Sequence, residues 1–360
     1  MIRFALFGAG RIGRMHAENL ARRTDAELVY VVDTKPEAAR ALAEPLGARQ
    51  ADAARAFADP AVDAVLIASS TGSHAELSIA AARAGKAIFC EKPVDLTLPK
   101  VDACIQAVRR ARVPMFVGFN RRFDPGFRAL KQRVDAGAVG KLEQVVITNR
   151  DPGLPELRFL ATSGGLFLDF TIHDFDMARW LLGEEPVEVF AWGAVLVDPR
   201  VRTEAGDIDT AMLLLRTASG RLCHIANSRR AAYGYDQRIE VLGAKGMLRA
   251  DNLAPTSVEH FGADATRTDN PWPNFQTRYA AAYRAELDSF IRSVERGTPP
   301  EVGPEDSRQV LVLAAAALES SRSGTSVRIR PTRRGGRGSG TLRTAIQTAN
   351  ALLNSARKRG

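Results

Sequence analysis

The chain has 360 residues, length enough for two domains with their own cores. Its apolar and charged fractions, 45% and 25%, are those of a soluble globular protein. The net charge of +9 sits at one end: residues 332–360 hold seven Arg or Lys and no acid, leaving +2 for residues 1–331, so basicity belongs to the tail and not to the body.

No apolar run approaches the ~18–20 residues that a membrane span needs. The opening "MIRFALFGAG" goes directly into a strand and a glycine loop, with nothing resembling a signal peptide. Cys90, Cys104 and Cys223 are odd in number, widely separated and without a C-x-x-C pair. That usage fits a reducing cytoplasm and argues against a disulfide scaffold or a zinc ribbon.

In chain order, residues 2–7 read as a short apolar strand, 14–23 as a helix and 26–33 as a second strand. Residues 62–70, "VDAVLIASS", form a third strand of the fully buried, parallel kind. A helix over 74–85, the strand "AIFCEKP", a helix over 98–111 and a strand over 114–120 follow. Such alternation predicts βαβ units in a doubly wound parallel sheet over residues 1–120. Beyond Asn120 the strand-like runs "KLEQVVITNR", "PVEVFAWGAVLV", "DTAMLLLRT", "RLCHIANSRRA" and "QRIEVLGAKGMLRAD" are joined partly by short turns. They predict an α+β domain over 121–330 with a mostly antiparallel sheet, covered by helices at about 164–182, 278–296 and 304–322. Residues 331–360 read as a flexible linker and a short basic helix over 341–358.

Gly8, Gly10 and Gly13 have G-x-G-x-x-G spacing after a strand and at the start of a helix, and Asp33 lies twenty residues after Gly13. Gly8 permits the tight turn, Gly10 lets a pyrophosphate approach the backbone, and Gly13 allows close helix–strand packing. The helix N-terminus offers the pyrophosphate a partial positive charge. A carboxylate at Asp33 accepts from both ribose hydroxyls and repels a 2′-phosphate, so NAD is expected over NADP, with Lys35 softening the preference.

"FCEKPVDL" puts Glu91, Lys92 and Pro93 at the end of a parallel strand, the edge where such sheets bind ligands. Pro93 restrains Lys92 and so fixes where its ammonium points. The segment "GGLFLDFTIHDFDMARWL", residues 164–181, carries Asp169, His173, Asp174 and Asp176 on what reads as one apolar helix. Asp169 and His173 are four apart and share a face. Asp174 and Asp176 fall off that face and read as a solvated surface or as partners for Arg179. A metal site from Asp169 and His173 lacks a third ligand at suitable spacing, so no metal is expected.

The glycine loop, "VVD", "EKP", "GFNRRFDP" and the Asp-x-x-x-His segment together resemble the glucose–fructose oxidoreductase/inositol dehydrogenase family over about residues 1–330. Within it, "SGGLFLDFTIHDFDMARWLLG" and "YGYDQRIEVLGAKG" are similar to inositol 2-dehydrogenases. The resemblance implies that Lys92, Asp169 and His173 meet over the nicotinamide. The chemistry suits them: His173 takes the hydroxyl proton, Asp169 orients the imidazole, and Lys92 stabilises developing alkoxide charge.

The cofactor is expected to touch Gly8, Gly10, Arg11, Ile12, Gly13, Asp33, Ser70, His74, Glu91 and Lys92. His74 and His16 have the alternative of capping or packing a helix. The resemblance further assigns Asn149, Asp151 and Tyr235 to the hydroxyls of a polyol, against turn or cross-strand roles. Asn120, Arg121 and Arg122 lie at the domain junction, open to a ligand contact or a hinge salt bridge, and Trp272 reads as core or loop cover.

The expected activity is NAD-dependent oxidation of a cyclic polyol, foremost myo-inositol, to the 2-keto product. The alternatives are a related sugar or scyllo-inositol oxidoreductase, or a non-catalytic NAD-binding regulator. The complete Lys92, Asp169 and His173 set speaks against the regulator. The tail has no aromatic to stack on bases, so nucleic acid is not the expected partner. Family resemblance implies a homo-oligomer, commonly a tetramer packed through open sheet faces, and the cysteine usage makes cytoplasm the expected location.

Overall fold

The computed structural model describes residues 1–329; the expected basic tail lies outside them. The chain divides into two units, Met1–Asn120 with Tyr283–Gln309, and Arg121–Ala282 with the residues from Val310 on. Helix Ala280–Arg296 was expected to cover the second sheet, yet from Tyr283 onward its chain belongs to the first unit. Phe290 explains the difference, because its ring packs against Phe4, Phe89 and Phe116 at centroid distances of 6.0, 5.7 and 6.2 Å.

The first unit is built on β1 (Ile2–Phe7), β2 (Ala26–Val32), β3 (Arg49–Gln50), β4 (Ala64–Ile67), β5 (Ala87–Glu91) and β6 (Met115–Gly118). Their order, β3-β2-β1-β4-β5-β6, is that of a doubly wound dinucleotide fold, and every neighbouring pair is parallel. The apolar runs "ALF" in β1, "AVLI" in β4 and "AIFC" in β5 are buried throughout, as a sheet covered on both faces requires. Helices α1 (Arg11–Ala21), α2 (Pro36–Ala43), α3 (Ala53–Ala58), α4 (Thr71–Arg83) and α5 (Leu98–Ala111) complete the crossovers. Helix α1 starts at Arg11, immediately after Gly10, three residues earlier than the apolar pattern predicts.

The second unit carries β7 (Leu142–Arg150), β8 (Pro186–Ala194), β9 (Thr210–Thr217), β10 (Leu222–Ser228), β11 (Asp236–Gly243) and β12 (Gly246–Ala250), with a short edge strand at Val327–Arg328. The order is β12-β11-β7-β10-β9-β8-edge, antiparallel at every pair but β7–β10. Strict alternation in β9, "TAMLLLRT", buries Ala211, Leu213 and Leu215 and turns Met212 and Leu214 outward. Trp192 of β8 pairs with Met212 on that outer face. Trp192, Met212 and Leu214 are 65%, 56% and 55% exposed. Cys90, Cys104 and Cys223 are all buried free thiols.

Candidate active site

The glycine loop is fixed by its own backbone. Gly8 has φ +104°, and a Cβ there would fall 2.6 Å from the Ala68 carbonyl oxygen at the end of β4. A Cβ on Gly13 would fall 1.9 Å from the Gly8 carbonyl oxygen, so α1 can lie against the loop only with glycine at that position. A Cβ on Gly10 would meet nothing within 4 Å, which leaves the loop surface at this point open to a pyrophosphate. Gly10 is the N-cap of α1, so Arg11 and Ile12 form its first turn, where the helix dipole favours an anion.

Asp33 follows β2 and accepts from the backbone N–H of Ala9 at 2.8 Å and of Lys35 at 2.9 Å. Burial works to raise the Asp33 carboxyl, but these donors outweigh it and hold it below its ordinary value. The group is therefore an anion set against the glycine loop, as recognition of an unphosphorylated ribose demands.

Lys92 follows β5 and is half-buried, with a cis peptide to Pro93. Glu91 is buried, so it supports this turn from inside, accepting from the Lys92 N–H at 3.3 Å. His74 resolves its open assignment: it is buried, with Nδ1 2.8 Å from the Pro93 carbonyl oxygen and Nε2 3.0 Å from that of Ser69. It ties the Lys92–Pro93 turn to the loop after β4. Ser70 is the N-cap of α4, and His16 is buried on α1.

In the second unit the expected single helix over 164–182 is two pieces, Leu166–Asp169 and Ile172–Leu182, separated by Phe170 and Thr171. Asp169 ends one piece and His173 lies in the first turn of the next, and both are partly accessible. Their kinship is thus a helix break and not two turns of one ideal wheel. Asp174 and Asp176, expected as a solvated face or as partners for Arg179, are buried. Asp174 accepts from Arg121 at 2.7 Å and from Asn149 and Asn227 at 2.8 Å each. Asp176 accepts from Arg122 Nε at 2.8 Å and Nη2 at 2.5 Å, and stands 3.9 Å from Arg179. The pairs Arg121–Asp174 and Arg122–Asp176 are therefore interior ion pairs of this unit.

The proposed polyol contacts separate by depth. Asn149 is 0% exposed; its amide donates to Asp174 and its oxygen accepts from Gln237 at 2.6 Å. Buried and engaged at both ends, it reaches a substrate only through the groups it holds. The Tyr235 hydroxyl accepts from Arg121 at 3.4 Å, and burial pushes its pKa up. Asp151 is partly accessible; burial lifts its carboxyl to about 6, against the lowering effect of Arg229. Arg229 escaped sequence reasoning. It donates to Asp151 at 3.3 Å and to Asp169 at 3.0 Å, with its guanidinium 4.7 Å from the Phe170 ring centre. Its only sequence signal is a basic pair, "RR", directly after a strand.

Residues 2–119 match the family described as an oxidoreductase family with an NAD-binding Rossmann fold, and residues 127–249 match the GFO/IDH/MocA C-terminal domain. The chain belongs to the GFO/IDH/MocA oxidoreductase family. An inositol 2-dehydrogenase of Rhizobium meliloti, a relative within this family, is 49% identical over 321 residues, 89% of this chain and 96% of the relative. A solved myo-inositol dehydrogenase from Corynebacterium glutamicum superposes with a TM-score of 0.88 at 42% identity, covering 92% of this chain and 100% of the other. The myo-inositol dehydrogenase of Lactobacillus casei, solved in complex with NAD(H) and myo-inositol, gives a TM-score of 0.83 at 27% identity over 95% and 99% of the two chains. As a GFO/IDH/MocA oxidoreductase the chain carries an NAD-binding Rossmann unit, and the open Gly10, the α1 N-terminus and the anionic Asp33 fit that cofactor.

Proposed function

We propose that the protein is an NAD-dependent dehydrogenase that oxidises a ring hydroxyl of a cyclic polyol, with myo-inositol giving the 2-keto product. The observation that carries the reading is the Asp169/His173 break beside the Arg229-held Asp151, in a chain whose relatives include inositol dehydrogenases at 49% and 42% identity. Gly8, Gly10, Arg11, Ile12, Gly13, Asp33, Ser70 and His74 hold or frame the cofactor. NAD, when bound, supplies the acceptor for the hydride that leaves the alcohol carbon.

The side chains of this protein do the rest. His173 takes the hydroxyl proton, since an imidazole titrates near working pH. Asp169 orients that imidazole and favours its charged form as the proton arrives. Lys92 donates to the alcohol oxygen and offsets its growing negative charge. Asp151 and Tyr235 offer an acceptor and a donor to neighbouring hydroxyls, with Asn149 acting through Asp174.

In this reading the enzyme is cytoplasmic, in keeping with its buried free thiols, and among the described residues no helix is long and apolar enough to cross a membrane. It assembles as a homo-oligomer, in family fashion a tetramer, through the outer face of the second sheet, where Trp192, Met212 and Leu214 are exposed together.

A substrate screen followed by NADH absorbance tests the reading, with myo-inositol, its epimers and common aldoses. Turnover is expected to be highest with an inositol. His173→Ala should lower kcat by about 10²–10⁴-fold with NADH affinity unchanged. A protein that binds NADH and oxidises no polyol would instead be a regulator on the same fold.

A further inference from the structure

Three ionisable side chains of the first unit meet in its interior: His16 on α1, Glu91 at the end of β5 and Glu286 on helix Ala280–Arg296. All are buried, Glu286 at 0% exposure, and the ligating atoms lie within 4.8 Å of one another. His16 Nε2 stands 2.8 Å from Glu91 Oε1. An ionised carboxylate only accepts, so this contact assigns the imidazole proton to Nε2. The other Glu91 oxygen accepts from the Lys92 N–H at 3.3 Å. The Glu91 carboxylate also packs on Gly118, where a Cβ would come within 3.2 Å of it. Glu91 is thus held on three sides.

Glu286 is the anomaly. Neither of its carboxyl oxygens has a hydrogen-bond partner. The surroundings are aromatic, with Phe89 and Tyr283 meeting the His16 ring edge-on at 5.2 and 5.8 Å. An ionised carboxylate in such a place, beside a second one, costs far more than a protonated one. A cation or a proton would relieve it. Geometry favours the proton: His16 Nε2 and Glu91 Oε1 stand 2.8 Å apart, closer than the ~3.3 Å at which a tetrahedral zinc holds two ligands about 2.0–2.1 Å from itself.

We propose that Glu286 is a neutral, protonated carboxylic acid that completes a buried His16–Glu91–Glu286 cluster and positions Glu91 beneath the turn that carries Lys92. Burial first, and then the charge of Glu91, raises the Glu286 carboxyl well above its ordinary 4.5. The ionisable groups beside it are His16 from α1 and Glu91 from β5, with Tyr283 of its own helix set against the His16 ring. Glu286 is a positioning residue that acts through Glu91, whatever the substrate.

The folded chain keeps a proton at Glu286 that the unfolded chain releases above about 4.5, so wild-type stability falls as pH rises from there. Glu286→Gln keeps the shape and removes that titration. Two readouts are independent of turnover. The infrared difference between wild type and Glu286→Gln at about pH 8 should contain the carbonyl stretch of a protonated acid, shifted down in D2O. The Gln variant should also melt above wild type, by a margin that widens as pH rises above the ordinary 4.5 of the carboxyl. In turnover, Glu286→Ala should lose about tenfold in kcat/KM, and Glu286→Gln should restore it.

The absence of the carbonyl band, a Gln variant that melts below wild type at about pH 8, one bound metal ion per chain, or a Gln variant as impaired as Ala would each overturn the proposal. If Glu286→Gln does not fold, wild type labelled with 13C-glutamate still reports the band. A protein that oxidises no polyol would leave the spectroscopic and melting tests intact, which separates this inference from the functional reading.

Discussion

Arg229 donates to Asp169 at 3.0 Å while its second branch reaches Asp151 at 3.3 Å. One almost fully buried guanidinium therefore serves two carboxylates. Asp169 works to raise the Asp151 carboxyl and Arg229 to lower it, with burial the largest influence, for a value of about 6. Losing the cation removes the larger lowering influence, Arg121 supplying a lesser one, and leaves burial and Asp169 to raise the carboxyl. In Arg229→Gln the Asp151 carboxyl should titrate above 6, read by 13C NMR of labelled aspartate. Its kcat/KM for the polyol should fall about tenfold or more, with NADH affinity unchanged.

Asp174 is the hub of the polar interior of the second unit, with Arg121, Asn149 and Asn227 all donating to it. Removing one partner of a buried ion pair leaves the other charge uncompensated, a loss of about 3–5 kcal/mol. Asp174→Ala should lower the unfolding free energy by that order in urea titrations. Adding Arg121→Met should cost less than the sum of the single changes, because the stranded cation goes with it.

The anionic Asp33 bears on cofactor choice. Asp33→Ser removes the repulsion toward a 2′-phosphate and the acceptor for the ribose hydroxyls together. The ratio of kcat/KM with NAD to that with NADP should fall at least about tenfold, equivalent to about 1.4 kcal/mol. A ratio that stays constant would place discrimination elsewhere, Lys35 being the nearest charge.

The outer face of the second sheet bears on assembly. Leu214 lies between Phe190 of β8 and His224 of β10, within a row of outward apolar side chains. Leu214→Glu puts a charge where an oligomer would have to desolvate it. Light scattering should show a smaller particle than wild type at equal concentration, with far-ultraviolet circular dichroism unchanged. Equal particle mass would move the interface off this face.

Much of the first unit was legible in the sequence because its signals are local. Gly8, Gly10, Gly13 and Asp33 are spaced by one strand–turn–helix–strand unit, and each has a steric or electrostatic task that no other residue performs as well. The second unit was legible in its strands and less so in its charges. A helical wheel drawn through residues 164–181 places Asp174 and Asp176 off the Asp169/His173 face, but says nothing of Arg121 and Arg122, more than fifty positions earlier, which take them into the interior. The same wheel misses the break at Phe170 and Thr171, since the apolar pattern runs on unbroken across it. Arg229 was hidden because its two partners lie 60 and 78 residues away, a separation that no periodicity reports.

The return of Tyr283–Gln309 to the first unit makes the order of synthesis matter. When the ribosome has released residue 120, the parallel sheet has all six strands but not what seals it. The Val302 carbonyl that accepts from Val117, the Ser307 hydroxyl that accepts from Val94 and the Phe290 ring are all still to come. Strands β7 to β12 of the second sheet emerge in the interval. The cofactor-binding half is therefore begun first and finished late, and a fragment cut at Asn120 should emerge with an uncovered apolar flank and self-associate.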